Sequence, residues 1–188
     1  MPARTIAIGD IHGCSIAFAA LIDAIDLQPD DTLLTLGDYV NKGLDSKGVL
    51  DFLLDLELRC RLIPLLGNHD AVMLGAIDGR LSIEQWKAIG GTATLQSYGE
   101  SERIDDIPAT HAEFLRRCRM WYETPTHFFV HAAYDPELPL DQQDEASLLW
   151  QGIRDEIPGP HFSGKTAVVG HTSQKNGEIL DAGHLVCI

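Results

Sequence analysis

The chain has 188 residues, a length suited to one compact domain, and its 45% hydrophobic and 22% charged residues exclude wholesale disorder. Fourteen Lys and Arg against 28 Asp and Glu leave a formal net charge of −14. That balance lacks the positive field needed for non-specific nucleic-acid or anionic-membrane binding, and it suits a protein that gathers divalent cations.

In chain order, residues 4–8 are a β-branched run that ends at Gly9, and helical spacing of apolar residues predicts a helix over Ser15–Ile25, with Ser15 as its cap. Residues 31–36 form a second apolar run closed by Gly37. A second helix is predicted over residues 46–58, and residues 61–66 form a third run closed by Gly67. Pro64 is unusual inside a central strand. This alternation implies a parallel sheet with helical crossovers. Residues 71–121 read as mostly helical, residues 128–130 as a strand and residues 134–143 as an acidic, Pro-containing loop. A short helix is predicted at Glu145–Trp150, then strands at Thr166–Val169 and residues 179–188.

Cys14, Cys60, Cys118 and Cys187 are far apart and form no CxxC pair or disulfide framework. No apolar run approaches the length of a membrane span, and the N-terminus lacks the order of a signal peptide. The chain therefore reads as cytoplasmic and reduced.

The informative feature is the cluster of residues at the end of each apolar run. The five runs end in GDIHG (9–13), GDYVNKG (37–43), GNHD (67–70), HAA (131–133) and GHT (170–172). Ligands in open α/β sheets bind outside the carboxyl ends of the strands. Asp10, His12, Asp38, Asn68, His69, His131 and His171 are therefore expected in one place. A mixed oxygen and nitrogen set without thiolates suits Mn, Fe, Zn or Ni rather than Ca or Mg. Six or seven such groups exceed one tetrahedral site and suit two ions about 3.5–4 Å apart. Two ions generate a hydroxide near neutral pH, polarise phosphoryl oxygens and orient in-line attack.

These motifs resemble the calcineurin-like metallophosphoesterase superfamily, in particular the bacterial form of its Ser/Thr phosphoprotein-phosphatase-like branch. The likeness spans essentially the whole chain. It implies one domain over residues 1–188 with a four-layer αββα sandwich of mixed sheets. It also implies two divalent metals, manganese first and iron, zinc or nickel as alternatives. Asp10 and His12 would bind the first ion, Asp38 would bridge, and Asn68, His131 and His171 would complete the second site. His69 would donate a proton to the leaving alkoxide, with Asp70 orienting it.

The sequence departs from the family pattern in four places. Asn41-Lys42-Gly43 stands where Asp-Arg-Gly is usual, so a point charge replaces a planar phosphate fork. Leu66 replaces the Arg that precedes GNH in eukaryotic members, with Arg154 as a candidate substitute. VHAA replaces VHAG. The family continues past the position of Ile188 with an Asp-Thr and another strand, which points to a truncated form or a short natural variant.

The first functional expectation is a two-metal phosphomonoesterase acting on phosphoserine or phosphothreonine in proteins, or on small phosphorylated metabolites. Lys42 and Arg154 would contact the substrate phosphate. The alternative is hydrolysis of a phosphoanhydride such as a dinucleoside tetraphosphate, and a third reading is a non-catalytic metal-binding scaffold. Neither nucleic acid nor membrane is expected as a partner.

Overall fold

The computed structural model describes residues 3–175 and 177–188. The first third of the chain alternates β1 (Thr5–Ile8), α1 (Ser15–Ile25), β2 (Thr32–Thr35), α2 (Ser46–Arg59) and β3 (Arg61–Pro64). These strands form a parallel sheet in the order β1-β2-β3, as the strand–helix alternation predicts. Pro64 fits because it is the last residue of a strand at the edge of this sheet, where its missing N–H breaks no ladder.

The helical middle comprises α3 (Asn68–Ile77), α4 (Ile83–Trp86), α5 (Thr92–Tyr98) and α6 (Ala109–Arg117). A second sheet combines β4 (Trp121–Glu123), β5 (His127–Val130), β6 (Thr166–Val169), β7 (Leu180–Asp181) and β8 (Leu185–Cys187) in the order β4-β5-β6-β8-β7. Its β5-β6-β8 core is parallel and both edge strands run antiparallel, so the sheet is mixed.

Three apolar layers hold the domain together. Leu34, Leu36, Ile63 and Leu65 of the first sheet meet Phe129 and Val168 of the second, which places the two sheets face to face. The outer face of the first sheet is covered by the helices, with Phe18, Ile22, Leu50, Leu53, Leu56 and Phe114 fully buried there. The outer face of the second sheet is covered by α7 (Glu145–Trp150) and irregular chain carrying Tyr134, Leu140 and Ile153. The αββα sandwich is thus present, with a fourth layer in which loop outweighs helix.

Four local expectations need correction. Ser15 does not cap α1; its hydroxyl donates to Asp45 Oδ2 at 2.6 Å, and Asp45 is the side chain that caps α2 by accepting from Gly48 N. The helix α3 begins at Asn68, inside the GNHD motif, rather than at residue 71. The short strand β4 has no alternating pattern to announce it, since three residues of partly exposed chain carry too little periodicity. The final run is a hairpin, not one strand, because Gly183 takes φ +83° and Gly183 N donates to Asp181 Oδ1.

One ion pair ties the residue before β1 to the residue before β2. Arg4 donates from Nε and Nη2 to both carboxylate oxygens of buried Asp31, and to the carbonyls of Ile25 and Asp26. The guanidinium, aided by the N–H of Gln28, holds the Asp31 carboxyl well below the usual carboxylate range. A folded pKa below the unfolded value contributes stability that is whole above about pH 4 and is lost as pH falls towards the folded value. Asp31→Asn should therefore lower the melting temperature at pH 7 and flatten its decline below about pH 4. Thermal melts across that range would show this, and parallel wild-type and variant curves would refute it.

Candidate metal centre

The site is built from strand ends whose backbones are held in unusual conformations. Among the described residues, seven non-glycine residues have positive φ, and five of them are His12, Asp38, Asn41, Lys42 and His171. Such conformations cost of order 1–3 kcal/mol each and persist only where the surroundings over-determine them. Here the loops brace one another: Ile11 N and His12 N donate to Asp38 O at 3.2 and 2.7 Å, and Gly43 N donates to His12 O at 2.9 Å. Glycine is required where the loops meet most closely. Gly37 has φ +99° and lies against Gly67, and a Cβ on Gly67 would run into the amide and carboxylate of Asp38.

Each acidic side chain has one oxygen fixed by backbone. Asp10 Oδ1 accepts from His171 N at 2.9 Å, and Asp38 Oδ1 accepts from His69 N at 3.0 Å. The imidazoles are fixed in the same way from behind. His12 Nδ1 lies 2.9 Å from Val40 O, and His131 Nδ1 lies 2.7 Å from Leu36 O. A carbonyl only accepts, so both rings carry their proton on Nδ1 and turn the lone pair of Nε2 inward.

A set of acceptors gathers in the middle. His12 Nε2 is 3.3 Å from Asp38 Oδ2 and 3.8 Å from Asp10 Oδ2. His131 Nε2 is 3.0 Å from Asn68 Oδ1 and 3.6 Å from Asp38 Oδ1. His171 Nδ1 is 3.1 Å from Asn68 Oδ1 and 3.2 Å from His131 Nε2. Lone pairs facing lone pairs at these distances repel unless a cation lies among them. Two triads have ligand atoms within 4.8 Å of one another, His12–Asp38–His69 and Asp38–His131–His171, and they share Asp38. The donor set and the backbone partners behind its histidines fit divalent metal ions.

The electrostatics agree. Burial and the charge of Asp10 push the Asp38 carboxyl up to about 7, a penalty that a cation would relieve. Burial pushes His131 and His171 down, towards the neutral form that ligates. Burial, then the charges of Lys42 and His12, push His69 down to about 4.

The calcineurin-like phosphoesterase model matches residues 3–182. The chain belongs to this family. It is 31% identical over 150 residues to the symmetrical bis(5'-nucleosyl)-tetraphosphatase of Nitrosospira multiformis, covering 79% of this chain and 50% of that protein. The enzyme of the same name from Cellvibrio japonicus is 32% identical over 161 residues, covering 84% and 54%. The chain thus spans about half the length of the curated relatives it matches. A solved structure provisionally assigned as a diadenosine tetraphosphatase superposes with TM-score 0.72 at 24% identity, covering 97% of this chain and 81% of that one, a likeness of fold. The relatives overturn the first expectation, a phosphomonoesterase for phosphoserine or phosphothreonine; the activity in their name is that of the alternative, a dinucleoside tetraphosphatase.

The phosphoesterase fold brings Asp10, His12, Asp38, Asn68, His69, His131 and His171 together. Lys42 joins them, with Nζ 2.8 Å from His12 Nε2. Arg154 does not: Nη2 donates to Ser173 O at 3.1 Å, and the neighbouring cavity it lines contains none of the seven residues. The expected pairing of Asp70 with His69 is also corrected. Both Asp70 oxygens are taken by backbone, accepting from Asp38 N and Gly67 N at 2.8 and 3.0 Å and from Tyr39 N and Val40 N at 3.0 and 3.4 Å. Burial and the Asp38 charge raise the Asp70 carboxyl, and those four N–H groups oppose the rise.

The residue that meets the His69 ring is Asn41, with Nδ2 2.9 Å from Nδ1. Asn41 is fully buried, and its Oδ1 accepts from Trp86 Nε1 at 3.0 Å and Thr94 Oγ1 at 2.9 Å. Sequence reasoning passes over Trp86 and Thr94, which lie outside the five motifs. The one available signal is Asn41 standing where the family has Asp.

A ligand at a hundredfold its Kd adds about 2.7 kcal/mol of stability. Added Mn²⁺, Zn²⁺ or Ni²⁺ should accordingly raise the melting temperature of metal-stripped protein. Asp38→Asn, which keeps an acceptor for His69 N, should abolish most of that rise, and Arg154→Ala should retain it. Equal metal-induced shifts in the wild type and Asp38→Asn would refute the shared ligand.

Proposed function

We propose that the chain hydrolyses dinucleoside tetraphosphates symmetrically, breaking the central phosphoanhydride to leave two nucleoside diphosphates. The observation that carries this reading is the cavity beside the acceptor cluster. It measures 510 Å³ and is lined by Asp10, His12, Lys42 and His171, by polar residues including Ser173 and Gln174, and by apolar residues including Leu21 and Ile179. Charged groups of the acceptor cluster together with polar and apolar lining suit a ligand that carries both a polyphosphate and a nucleoside. The relatives' activity supports the same reading.

Asp10, His12 and Asp38 would hold one divalent ion, and Asp38, Asn68, His131 and His171 the other, with Mn, Fe, Zn or Ni all matching the donors. Two such ions supply Lewis acidity towards phosphoryl oxygens and a nucleophile at neutral pH. The protein's own part is mostly positional. The five strand-end loops hold the ligand atoms before substrate arrives, so little reorganisation is left to the reaction. The Lys42 ammonium, at the exposed edge of the cluster, neutralises phosphate charge without demanding a bidentate geometry. The His69 side chain lies beside His12, with ring centroids 4.9 Å apart, close enough to act on the oxygen that leaves.

Metal-reconstituted protein incubated with diadenosine tetraphosphate should yield ADP as its sole nucleotide product by chromatography. AMP with ATP would exclude the symmetrical cut. Faster turnover of a phosphoserine peptide than of the dinucleotide would exclude the substrate class.

A further inference from the structure

We infer that Asn41 is a positioning residue that fixes His69 as a neutral imidazole with its proton on Nε2, and thereby selects substrates whose leaving group departs as a stable anion. This inference rests on the phosphohydrolase reading of the site and extends it to leaving-group choice.

The hydrogen-bond network decides which way the Asn41 amide points. Trp86 Nε1 is only ever a donor, and it lies 3.0 Å from Asn41 Oδ1. Thr94 Oγ1 accepts from Asn41 N at 2.9 Å and directs its own proton to the same Oδ1 at 2.9 Å. The indole N–H, which can only donate, identifies that atom as the amide oxygen. The atom facing His69 Nδ1 at 2.9 Å is therefore the NH₂ group. An NH₂ group donates, so Nδ1 must accept and carry no proton. A neutral ring then bears its hydrogen on Nε2. An imidazolium would set an N–H against an N–H at this distance, on the side of the ring that faces the buried Asn41.

The orientation is well supported. Asn41 is completely buried at φ +69°, and its N–H is shared between Thr94 Oγ1 and Ser46 Oγ. Rotating the amide would set its NH₂ against the indole N–H, which has no lone pair to receive it.

The tautomer has a chemical consequence. During hydrolysis a new P–O bond forms from the attacking oxygen, the bridging P–O bond breaks, and its electron pair stays on the departing oxygen. If that oxygen belongs to a nucleoside diphosphate or a phenol, the anion is stable enough to leave with only a hydrogen bond from His69 Nε2–H. If it belongs to a serine or another alkyl alcohol, the alkoxide must take a proton as it departs. A neutral imidazole that gave up Nε2–H would become imidazolate, which is too basic to form readily. The same set of loops that suits an anhydride therefore handicaps an alkyl ester. An aspartate at position 41 would reverse this: its carboxylate would accept from Nδ1–H and favour the doubly protonated ring.

Two measurements test the inference, using the full chain loaded with Zn²⁺, which is diamagnetic. Long-range ¹H–¹⁵N correlation spectra distinguish protonated from unprotonated ring nitrogens, with His69→Gln to assign the resonance. Wild-type His69 should show protonated Nε2 and bare Nδ1; a proton on Nδ1 overturns the inference without need of any further variant. The second measurement is the ratio of kcat/KM for an alkyl phosphate, a phosphoserine peptide, to that for p-nitrophenyl phosphate. A positioned acid is worth roughly 10²–10⁴-fold, so Asn41→Asp should raise this ratio by about tenfold or more. Asn41→Asp should also move the His69 proton onto Nδ1. A moved proton with an unchanged ratio overturns the inference. Neither measurement uses a nucleotide, so loss of the dinucleotide assignment alone would leave both outcomes readable.

Discussion

The geometry of the centre depends on one buried carboxylate, Asp70. Four backbone N–H groups converge on it, three from consecutive residues of the loop after β2 and one from Gly67 at the head of α3. That loop holds Asp38 at φ +53°, a conformation uncommon for a residue other than glycine. The carboxylate supplies acceptors that the loop lacks, for N–H groups that turn away from any strand ladder. With the loop fixed, Asp38 O receives two N–H groups from the loop after β1, so Asp10 and His12 inherit their positions from Asp70 at one remove.

The same arrangement explains why acceptors can be packed so closely. Lone pairs that face one another at 3.0–3.3 Å would separate if their owners were free to rotate. His12 and His131 are not free, because each is anchored through Nδ1 to a carbonyl of the first sheet's loops. Repulsion is stored at the centre, and backbone hydrogen bonds at its periphery balance it. Burial is the main cause of the raised pKa of Asp38 and the lowered ones of His131 and His171, and the charge of Asp10 adds to the rise of Asp38.

The gathering of the candidate ligands is legible in the sequence because strand ends converge. Five separate Gly-containing segments, each after an apolar run, leave few alternatives to a common site, and α1, α7 and β6 begin and end where periodicity places them. Legibility fails where a residue's role is set by a neighbour distant in sequence. Asp70 looks like an orienting partner for His69 because it is adjacent in the chain, yet the helix start at Asn68 turns it towards the preceding loop. Arg154 is singled out by charge alone, and charge does not say where a loop will carry it. The strand β4 escapes notice because three residues are too few for a period.

The Asn41 network shows where discrimination can reside once the metal ligands are set. The candidate ligands come from strand ends. The group that settles the tautomer of His69 comes from elsewhere: the Trp86 indole N–H at the end of α4, with the Thr94 hydroxyl of α5 beside it. Those helices lie between the third and fourth motifs and contribute none of the candidate ligands. Their packing against the loop after β2 nevertheless determines whether the ring beside the reacting atoms lends a hydrogen bond or surrenders a proton. A single buried amide thus couples a helical segment with no ligating residue to the choice between cleaving an anhydride and cleaving an ester.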